Sequence, residues 1–188
     1  MGTKKDKTAY NQEDLKSEDL ALHYWGSLDN LVSLIKSSEL KAGLILTFFG
    51  IIFNFVYQNI ERVKESLTNY NFLYVLLSLY LISTLLSIYF SVKTFIPRIE
   101  KKYEPNIFFF GDINSKFGDI HKFSKTFLNT VVDREKVFDQ IGQQIYVNAK
   151  ITTLKFKNVN ASIRYLVVSL SLLGLLTLSE IVIILFFK

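Results

Sequence analysis

The sequence predicts an all-α integral membrane protein with three transmembrane helices, an N-terminal amphipathic helix and a cytoplasmic helical segment. Three long apolar stretches carry this prediction: residues 42–57, 72–90 and 165–187. A bilayer core about 30 Å thick is crossed by about 20 apolar residues of helix, so each stretch is a candidate span. Hydrophobic residues form 49% of the chain and charged residues 21%, which indicates that apolar spans alternate with substantial polar segments.

Four segments are predicted along the chain. Residues 1–41 are expected to form the cytoplasmic amphipathic helix, and residues 42–97 a two-helix transmembrane hairpin. Residues 98–164 are expected to form the cytoplasmic helical region, and residues 165–188 the third transmembrane helix.

The N-terminal segment has the spacing of an amphipathic helix that continues into the first span. Ser17 is the predicted N-cap, with acidic residues in the first turn. Because no proline occurs between Leu20 and Ile60, the helix is expected to continue without a break. Its apolar residues recur at steps of three and four, which places them on one face: Leu20, Tyr24, Leu28, Leu31, Val32 and Ile35.

The middle segment contains an apolar block at residues 106–111 (NIFFFG), which is either a short strand or a loop inserted into a helical bundle. Helical spacing of apolar residues follows, and it predicts two helices broken near Asp133. Neither proline nor glycine occurs between residues 143 and 173. The last cytoplasmic helix is therefore expected to continue directly into the third span.

The distribution of basic residues predicts the orientation in the membrane. Residues 1–41 contain six Lys and Arg, residues 59–71 contain two, and residues 98–164 contain twelve. Basic residues that flank spans stay on the cytoplasmic side. The N-terminus and the middle segment should therefore be cytoplasmic, and residues 59–71 should face outward.

A basic stretch before the third span is a candidate ligand-binding site. No acidic residue occurs from residue 140 to residue 179, and Tyr146 and Phe156 offer aromatic rings for base stacking. Phosphate binding of a nucleotide or an oligonucleotide is one interpretation. The other is contact with anionic lipid headgroups. The cations in question are Lys150, Lys155, Lys157 and Arg164.

Polar residues within or next to the spans are candidates for a pore lining or for subunit contacts. Glu180 is the single acid inside a span, and its alternative role is to reach the outer interface. Ser83, Ser87 and Ser91 repeat every four residues, a spacing that also allows close helix packing in lipid. The remaining candidates for a central axis are Lys41 and Asn54.

Enzymatic activity is not expected from this sequence, and no cofactor or metal ion is predicted. The chain has no cysteine, and its two histidines, His23 and His121, lack the spacing of a zinc site. It contains neither a phosphate-cradling glycine loop nor a nucleophile elbow.

Several parts of the chain, taken in order, are similar to a known family. Residues 38–43 (SELKAG) enter the first span, Ile96 and Pro97 close the second, and residues 106–111 follow. Tyr146, residues 155–157 (KFK) and Arg164 then lead into the last span. This order resembles the small transmembrane effectors of Pycsar-type bacterial anti-phage systems and the related SLATT-like membrane domains. The resemblance extends from about Leu20 to the C-terminus.

The resemblance implies a nucleotide-controlled effector that injures the bacterial inner membrane in abortive infection. Its signal would be a cyclic pyrimidine mononucleotide or an oligonucleotide, made by an enzyme encoded nearby. Three spans cannot enclose an aqueous path alone, so channel-like activity requires a homo-oligomer, by analogy a tetramer. An unregulated toxin, a holin-like protein or a non-conducting scaffold is the alternative function.

Overall fold

A computed structural model of the chain describes residues 3–61, 64, 71–96 and 104–187. These residues contain no strand, and the predicted all-α class is confirmed. Pro97, the connector at 98–103, Lys188 and most of the predicted outward loop lie outside the described residues. The helices are α1 (Thr3–Gln58), α2 (Asn71–Phe95), α3 (Phe110–Ser115), α4 (Ile120–Val132) and α5 (Arg134–Phe187).

Three helices are long and apolar enough to cross a membrane, as predicted. The membrane-compatible stretches are Glu18–Gln58 of α1, Phe72–Phe95 of α2 and Arg134–Phe186 of α5. The predicted N-cap at Ser17 is wrong, because α1 already begins at Thr3. Residues 3–16 contain neither glycine nor proline, so no helix breaker separates them from Ser17.

The chain forms two compact units. The first unit combines Met1–Ile35 with Arg98–Thr153, and the second combines Lys36–Pro97 with Leu154–Lys188. Each unit therefore gathers segments that are distant in sequence. The division into four consecutive segments stays a prediction.

In the second unit, one face of α2 buries hydroxyl side chains, and the rest of its surface exposes mostly hydrocarbon side chains. The buried set comprises Tyr80, Ser83, Thr84, Ser87, Ser91 and Thr94, and the exposed set includes Leu79, Ile82, Leu85 and Val92. A helix surrounded by water would favour the reverse arrangement. Small polar residues between helices and hydrocarbon outside are typical of a membrane helix.

A serine cluster joins α2 to α5 within this unit. The hydroxyl of Ser162 donates a hydrogen bond of 2.8 Å to the carbonyl of Ser87, and the hydroxyl of Ser87 donates one of 2.9 Å to the carbonyl of Ser162. The Oγ atoms of Ser91 and Ser162 lie 2.7 Å apart. Small side chains thus bring the two helices into direct backbone contact, consistent with a packing role for Ser87 and Ser91.

In the first unit, residues 106–109 form a loop and Phe110 begins α3, so the strand alternative is wrong and the loop alternative is confirmed. The backbone N–H groups of this loop bond to side chains instead of to another strand. Ile107 donates to Gln140 Oε1 at 3.0 Å, and Asn106 donates to Asp112 Oδ2 at 3.0 Å. The Asn106 amide also donates to the Gln140 carbonyl at 2.7 Å.

The predicted helix break at Asp133 is confirmed, and α5 continues without interruption to Phe187. The Asp133 carboxylate accepts a hydrogen bond from the Lys136 backbone N–H at 3.2 Å. It also forms an ion pair with Lys136 Nζ at 2.8 Å. The side-chain hydrogen bond from Lys136 lowers the pKa of Asp133 below its ordinary value of 3.8. The bonds between the Asp133 carboxylate and Lys136 therefore stabilise the folded protein fully above pH 3.8, and this stabilisation is lost as the pH falls through the lowered pKa.

Candidate ligand site and membrane residues

A cavity of about 580 Å³ opens in the first unit. This volume lies within the range of small-molecule sites, which is about 300–1,000 Å³. Its lining combines aromatic rings, two carboxylates and an amide: Tyr24, Glu104, Phe138, Asp139, Gly142, Gln143, Tyr146 and Val147.

A row of residues on α5 forms one side of this cavity. Phe138, Gly142 and Tyr146 follow one another at four-residue spacing, which places them along one helix face. Arg134 and Lys150 continue the four-residue spacing at each end. Each step of four residues turns about 40° around the helix, however, so these two cations lie toward opposite sides of α5. The Arg134 guanidinium carbon lies 6.0 Å from the Phe138 ring centroid. The row thus has an aromatic centre between two cationic ends.

The aromatic side chains of the cavity offer faces for a planar ligand. The rings of Tyr24 and Phe138 lie 5.1 Å apart at 54°, which leaves neither ring stacked flat against the other. Tyr146 is 62% exposed. Gly142 between the two α5 aromatics adds no side chain, so the Tyr24 ring packs close to the helix: a β-carbon at this position would lie 3.8 Å from Tyr24 Cε1.

The polar lining is suited to the edge of a heterocycle. Gln143 Nε2 donates a hydrogen bond of 2.9 Å to Asp139 Oδ2, which orients both groups. Carboxylates accept hydrogen bonds from ring and amino N–H groups, and an amide both donates and accepts. Glu104 and Asp139 repel a phosphate. An anionic ligand therefore fits only with its charge at the Arg134 or Lys150 end of the row.

The predicted ligand residues separate between the two units. Tyr146 lines the cavity, and Lys150 lies one helical turn beyond it in the first unit. Lys155, Lys157 and Arg164 belong to the second unit. Of the five predicted residues, the structure therefore places only Tyr146 in the lining of the cavity.

Lys155 is buried and has structural partners. Only 5% of this residue is exposed, and its Nζ lies 2.6 Å from Glu39 Oε1 on α1. The same ammonium group donates a hydrogen bond to the carbonyl of Thr94 on α2. Lys155 thus joins α5 to two other helices. No acidic residue lies near Lys155 in the sequence, but the fold brings Glu39 to it.

Lys157 and Arg164 are exposed and lie seven residues apart on α5, so they share one helix face. This arrangement fits cations at the membrane surface. Phe156, the second predicted stacking ring, has the Nζ of Lys41 at 5.7 Å from its ring centroid. Lys41 therefore has an aromatic contact within its own chain.

The other predicted pore or subunit residues occupy different environments. Asn54 is exposed on α1, and Glu180 is half-buried on α5. Ser83 and Ser87 are buried on α2. Their roles in a pore or a subunit contact stay predictions. Across the ranges that the structure describes, no three His, Asp or Glu side chains are grouped to hold a metal ion.

Sequence reasoning missed most of the cavity. Phe138 and Gly142 could have been found from the four-residue spacing that connects them to Tyr146. Tyr24 and Glu104 could not, because they come from distant parts of the sequence that only the fold brings together.

Comparison with known proteins gives one match. The family model of the Pycsar effector protein domain matches residues 23–184, which include the cavity and all three membrane-compatible helices. No curated protein and no solved structure gives a significant match.

The contacts of Lys155 predict that it acts in stability rather than in ligand binding. Lys155→Glu should lower the free energy of unfolding by about 1.5–3 kcal/mol, the range for a lost hydrogen bond to a charged group. It also places a carboxylate beside Glu39. The matched variant Lys157→Glu, at an exposed position of the same helix, should leave stability within about 0.5 kcal/mol of wild type. Unfolding in detergent measures both, and equal stability of the two variants would contradict the assignment.

Proposed function

The chain belongs to the family of Pycsar effector proteins, and from this premise we propose that a nucleotide bound in the cavity of the first unit opens an ion leak through the bacterial inner membrane. Membership makes the chain a membrane effector of anti-phage defence, controlled by a cyclic nucleotide from a partner cyclase. The proposal adds the binding site, the leak and the assembly that the leak requires.

One observation carries the ligand site: the α5 row with aromatic rings at its centre and cations at its ends. A nucleobase can stack on Phe138 or Tyr146, since every base has a π-face. The phosphate then reaches Arg134 or Lys150. A cyclic mononucleotide needs only one such cationic end, whereas an oligonucleotide needs a continuous basic track. The row therefore favours a cyclic mononucleotide.

The carboxylates favour a base that carries an amino group. Glu and Asp side chains accept hydrogen bonds from the exocyclic amino group of cytosine, and Glu104 and Asp139 both line the cavity. We therefore expect 3′,5′-cyclic CMP to bind more tightly than 3′,5′-cyclic UMP, whose base presents a carbonyl oxygen at that position.

We assign the second unit to the bilayer and the residues of the first unit to the cytoplasm. This orientation rests on the twelve basic residues of segment 98–164 and the positive-inside rule. It places the N-terminus in the cytoplasm and the cavity on the side where a cyclase releases its product. Lys157 and Arg164 are then suited to anionic headgroups.

Assembly into a homo-oligomer is required, because three helices do not enclose an aqueous path. The first unit has an apolar surface that suits a second copy. Leu128, Val131 and Val132 of α4 are exposed, and Leu128 is 63% exposed. Exposed apolar patches of this kind mark interaction sites. A tetramer remains our proposed assembly, by analogy with the family.

Control by the nucleotide requires different affinities for the closed and open forms. Both α1 and α5 contribute residues to the cavity and also contain the apolar segments at residues 42–57 and 165–187. A ligand that repositions either helix can therefore bias the spans. An unregulated toxin, a holin-like protein or a scaffold would have no use for a cavity with this chemistry.

The sign of control follows from the survival of the host. A cell that carries this chain continuously must tolerate it, so the resting form should be closed. Expression alone should leave growth and membrane potential unchanged, and co-expression with the partner cyclase should collapse the potential. A potential-sensitive dye measures this. Growth arrest without the cyclase would mean that the nucleotide holds the assembly shut, and indifference to the cyclase would support the toxin or scaffold.

Replacement of Tyr146, the exposed aromatic residue of the cavity, should weaken nucleotide binding. Tyr146→Ala removes a stacking face worth about 1–3 kcal/mol, which corresponds to a Kd about 5- to 150-fold higher for cyclic CMP. The matched variant Tyr146→Phe keeps the face and should bind within about threefold of wild type. Calorimetric titration of the detergent-solubilised protein measures both. Unchanged affinity of Tyr146→Ala would exclude this cavity as the site.

A charge on the apolar surface of α4 should disrupt the assembly. Leu128→Glu places a carboxylate where a second copy would bury a hydrocarbon side chain, so the protein should elute as a smaller species in mild detergent. The neighbouring variant Asn129→Glu adds the same charge at a polar exposed position and should preserve the assembly. Identical elution of both variants would place the subunit contact elsewhere.

A further inference from the structure

The buried face of α2 carries a continuous row of hydroxyl groups through the membrane-compatible part of the helix. From Thr94 to Tyr80 the row covers about 21 Å at 1.5 Å per residue, about two-thirds of a bilayer core. The spacing alternates between three and four residues, so the side chains share one face. The row comprises Tyr80, Thr84, Ser87, Ser91 and Thr94, with Ser83 beside it.

Two groups at one end of this row have no hydrogen-bond partner outside α2 among the described residues, and they lie within reach of each other. They are Tyr80 Oη and Thr84 Oγ1. Tyr80 is 4% exposed and Thr84 is 0% exposed, so lipid headgroups and bulk water do not reach them. Buried polar groups are nearly always bonded, and an exception requires an explanation. A ligand that such hydroxyls accept is water or a small ion.

The rest of the row is bonded in a way that can be exchanged for water. Ser87 and Ser91 bond to Ser162 of α5 through their hydroxyl groups, and the Ser162 hydroxyl also donates to the Ser87 carbonyl. Hydroxyl groups donate and accept equally well. When α2 turns away from α5, water can therefore replace each of these bonds without leaving an unsatisfied group.

We propose that this hydroxyl face of α2 lines the path of water and small ions in the activated assembly. The proposal rests on the leak proposed above, and it specifies the surface that conducts. In the resting chain the face is sealed within the second unit. On activation it turns toward the axis that several copies enclose.

Apolar and charged side chains close the two ends of the row at rest. The same face of α2 continues from Tyr80 to Leu73, which is buried, and Phe49 of α1 is another large buried side chain of this unit. Hydrophobic constrictions block ions by excluding water. At the other end Lys155 bonds to the carbonyl of Thr94 and to Glu39. Leu73 is therefore the proposed gate, and Lys155 holds the cytoplasmic end together.

The absence of cysteine from the chain permits a direct test. Ser87→Cys and Ser91→Cys each place one thiol in the row. Ser78→Cys is the matched control, because Ser78 is exposed on the opposite side of α2 and bonds to its own helix at Tyr74. The probe is a trimethylammonium methanethiosulfonate, which reacts only with thiols in contact with water. Its reaction is followed by mass spectrometry in proteoliposomes, with and without cyclic CMP.

A substitution at Leu73 is designed to expose the hydroxyl row to water without any nucleotide, and it is combined with each cysteine variant. Leu73→Ser extends the hydroxyl face by one step and should produce a leak at rest, and Leu73→Thr serves if the serine variant does not fold. We expect Ser87→Cys and Ser91→Cys to react at least tenfold faster with cyclic CMP or in the Leu73 background. Ser78→Cys should react at the same slow rate throughout.

The outcomes separate this proposal from the proposed nucleotide control. If Ser87→Cys and Ser91→Cys are labelled fast in the Leu73 variant but do not respond to cyclic CMP, the result supports the hydroxyl face as the conducting surface. The same result contradicts control of the leak by the nucleotide. Ion leak with unlabelled Ser87→Cys and Ser91→Cys overturns the hydroxyl face, and labelling of Ser78→Cys instead places the path along the outer faces of the helices. A Leu73 variant that folds but neither leaks nor exposes the row also overturns the proposal.

Discussion

Hydrocarbon provides no hydrogen-bond partner, and this constraint decides which side of each membrane helix faces inward. Every polar group in a span must find its partner inside the protein. In α2 one row of hydroxyl side chains is therefore buried, and most of the exposed side chains are hydrocarbon. The bonds between Ser87, Ser91 and Ser162 follow from the same constraint. Hydrogen bonds between membrane helices are worth about 0.6 kcal/mol on average, so this packing is specific and yet weak enough for a ligand to shift.

Lys155 is the strongest single connection within the second unit. Its ammonium group bonds to Glu39 of α1 and to the carbonyl of Thr94, in the last turn of α2. A cation near the C-terminus of a helix is favourable, because the last carbonyls lack partners in the helix and carry partial negative charge. One side chain thus provides a hydrogen-bond donor to the Glu39 carboxylate and to a carbonyl in the last turn of α2, and it connects three helices. A ligand-binding cation would require a different environment, such as that of Lys150 or Arg134.

The sequence predicts the helices of this protein better than it predicts their partners. The three spans follow from apolar length, and the break at Asp133 follows from a change in apolar spacing. The loop at residues 106–111 stayed ambiguous because its partner, Gln140, lies 33 residues from Ile107. Glu39 was missed for the same reason, since 116 residues separate it from Lys155. Tyr146 was identified because aromatic and basic residues there lack acidic neighbours in sequence. Of the two cavity acids, Asp139 lies just before that acid-free stretch and Glu104 comes from another part of the fold.

The geometry of Ser162 also has a consequence for how this protein can evolve. Its hydroxyl and its carbonyl both take part in bonds with α2, so one substitution there removes several contacts at once. Replacement of Ser162 by alanine strands the hydroxyl of Ser91, whereas replacement of Ser87 or Ser91 leaves the Ser162 hydroxyl bonded to the Ser87 backbone carbonyl. Selection disfavours an unsatisfied group inside the bilayer, so Ser162 can be lost only after Ser91. Lineages that keep Ser91 should therefore keep Ser162, whereas the reverse does not hold.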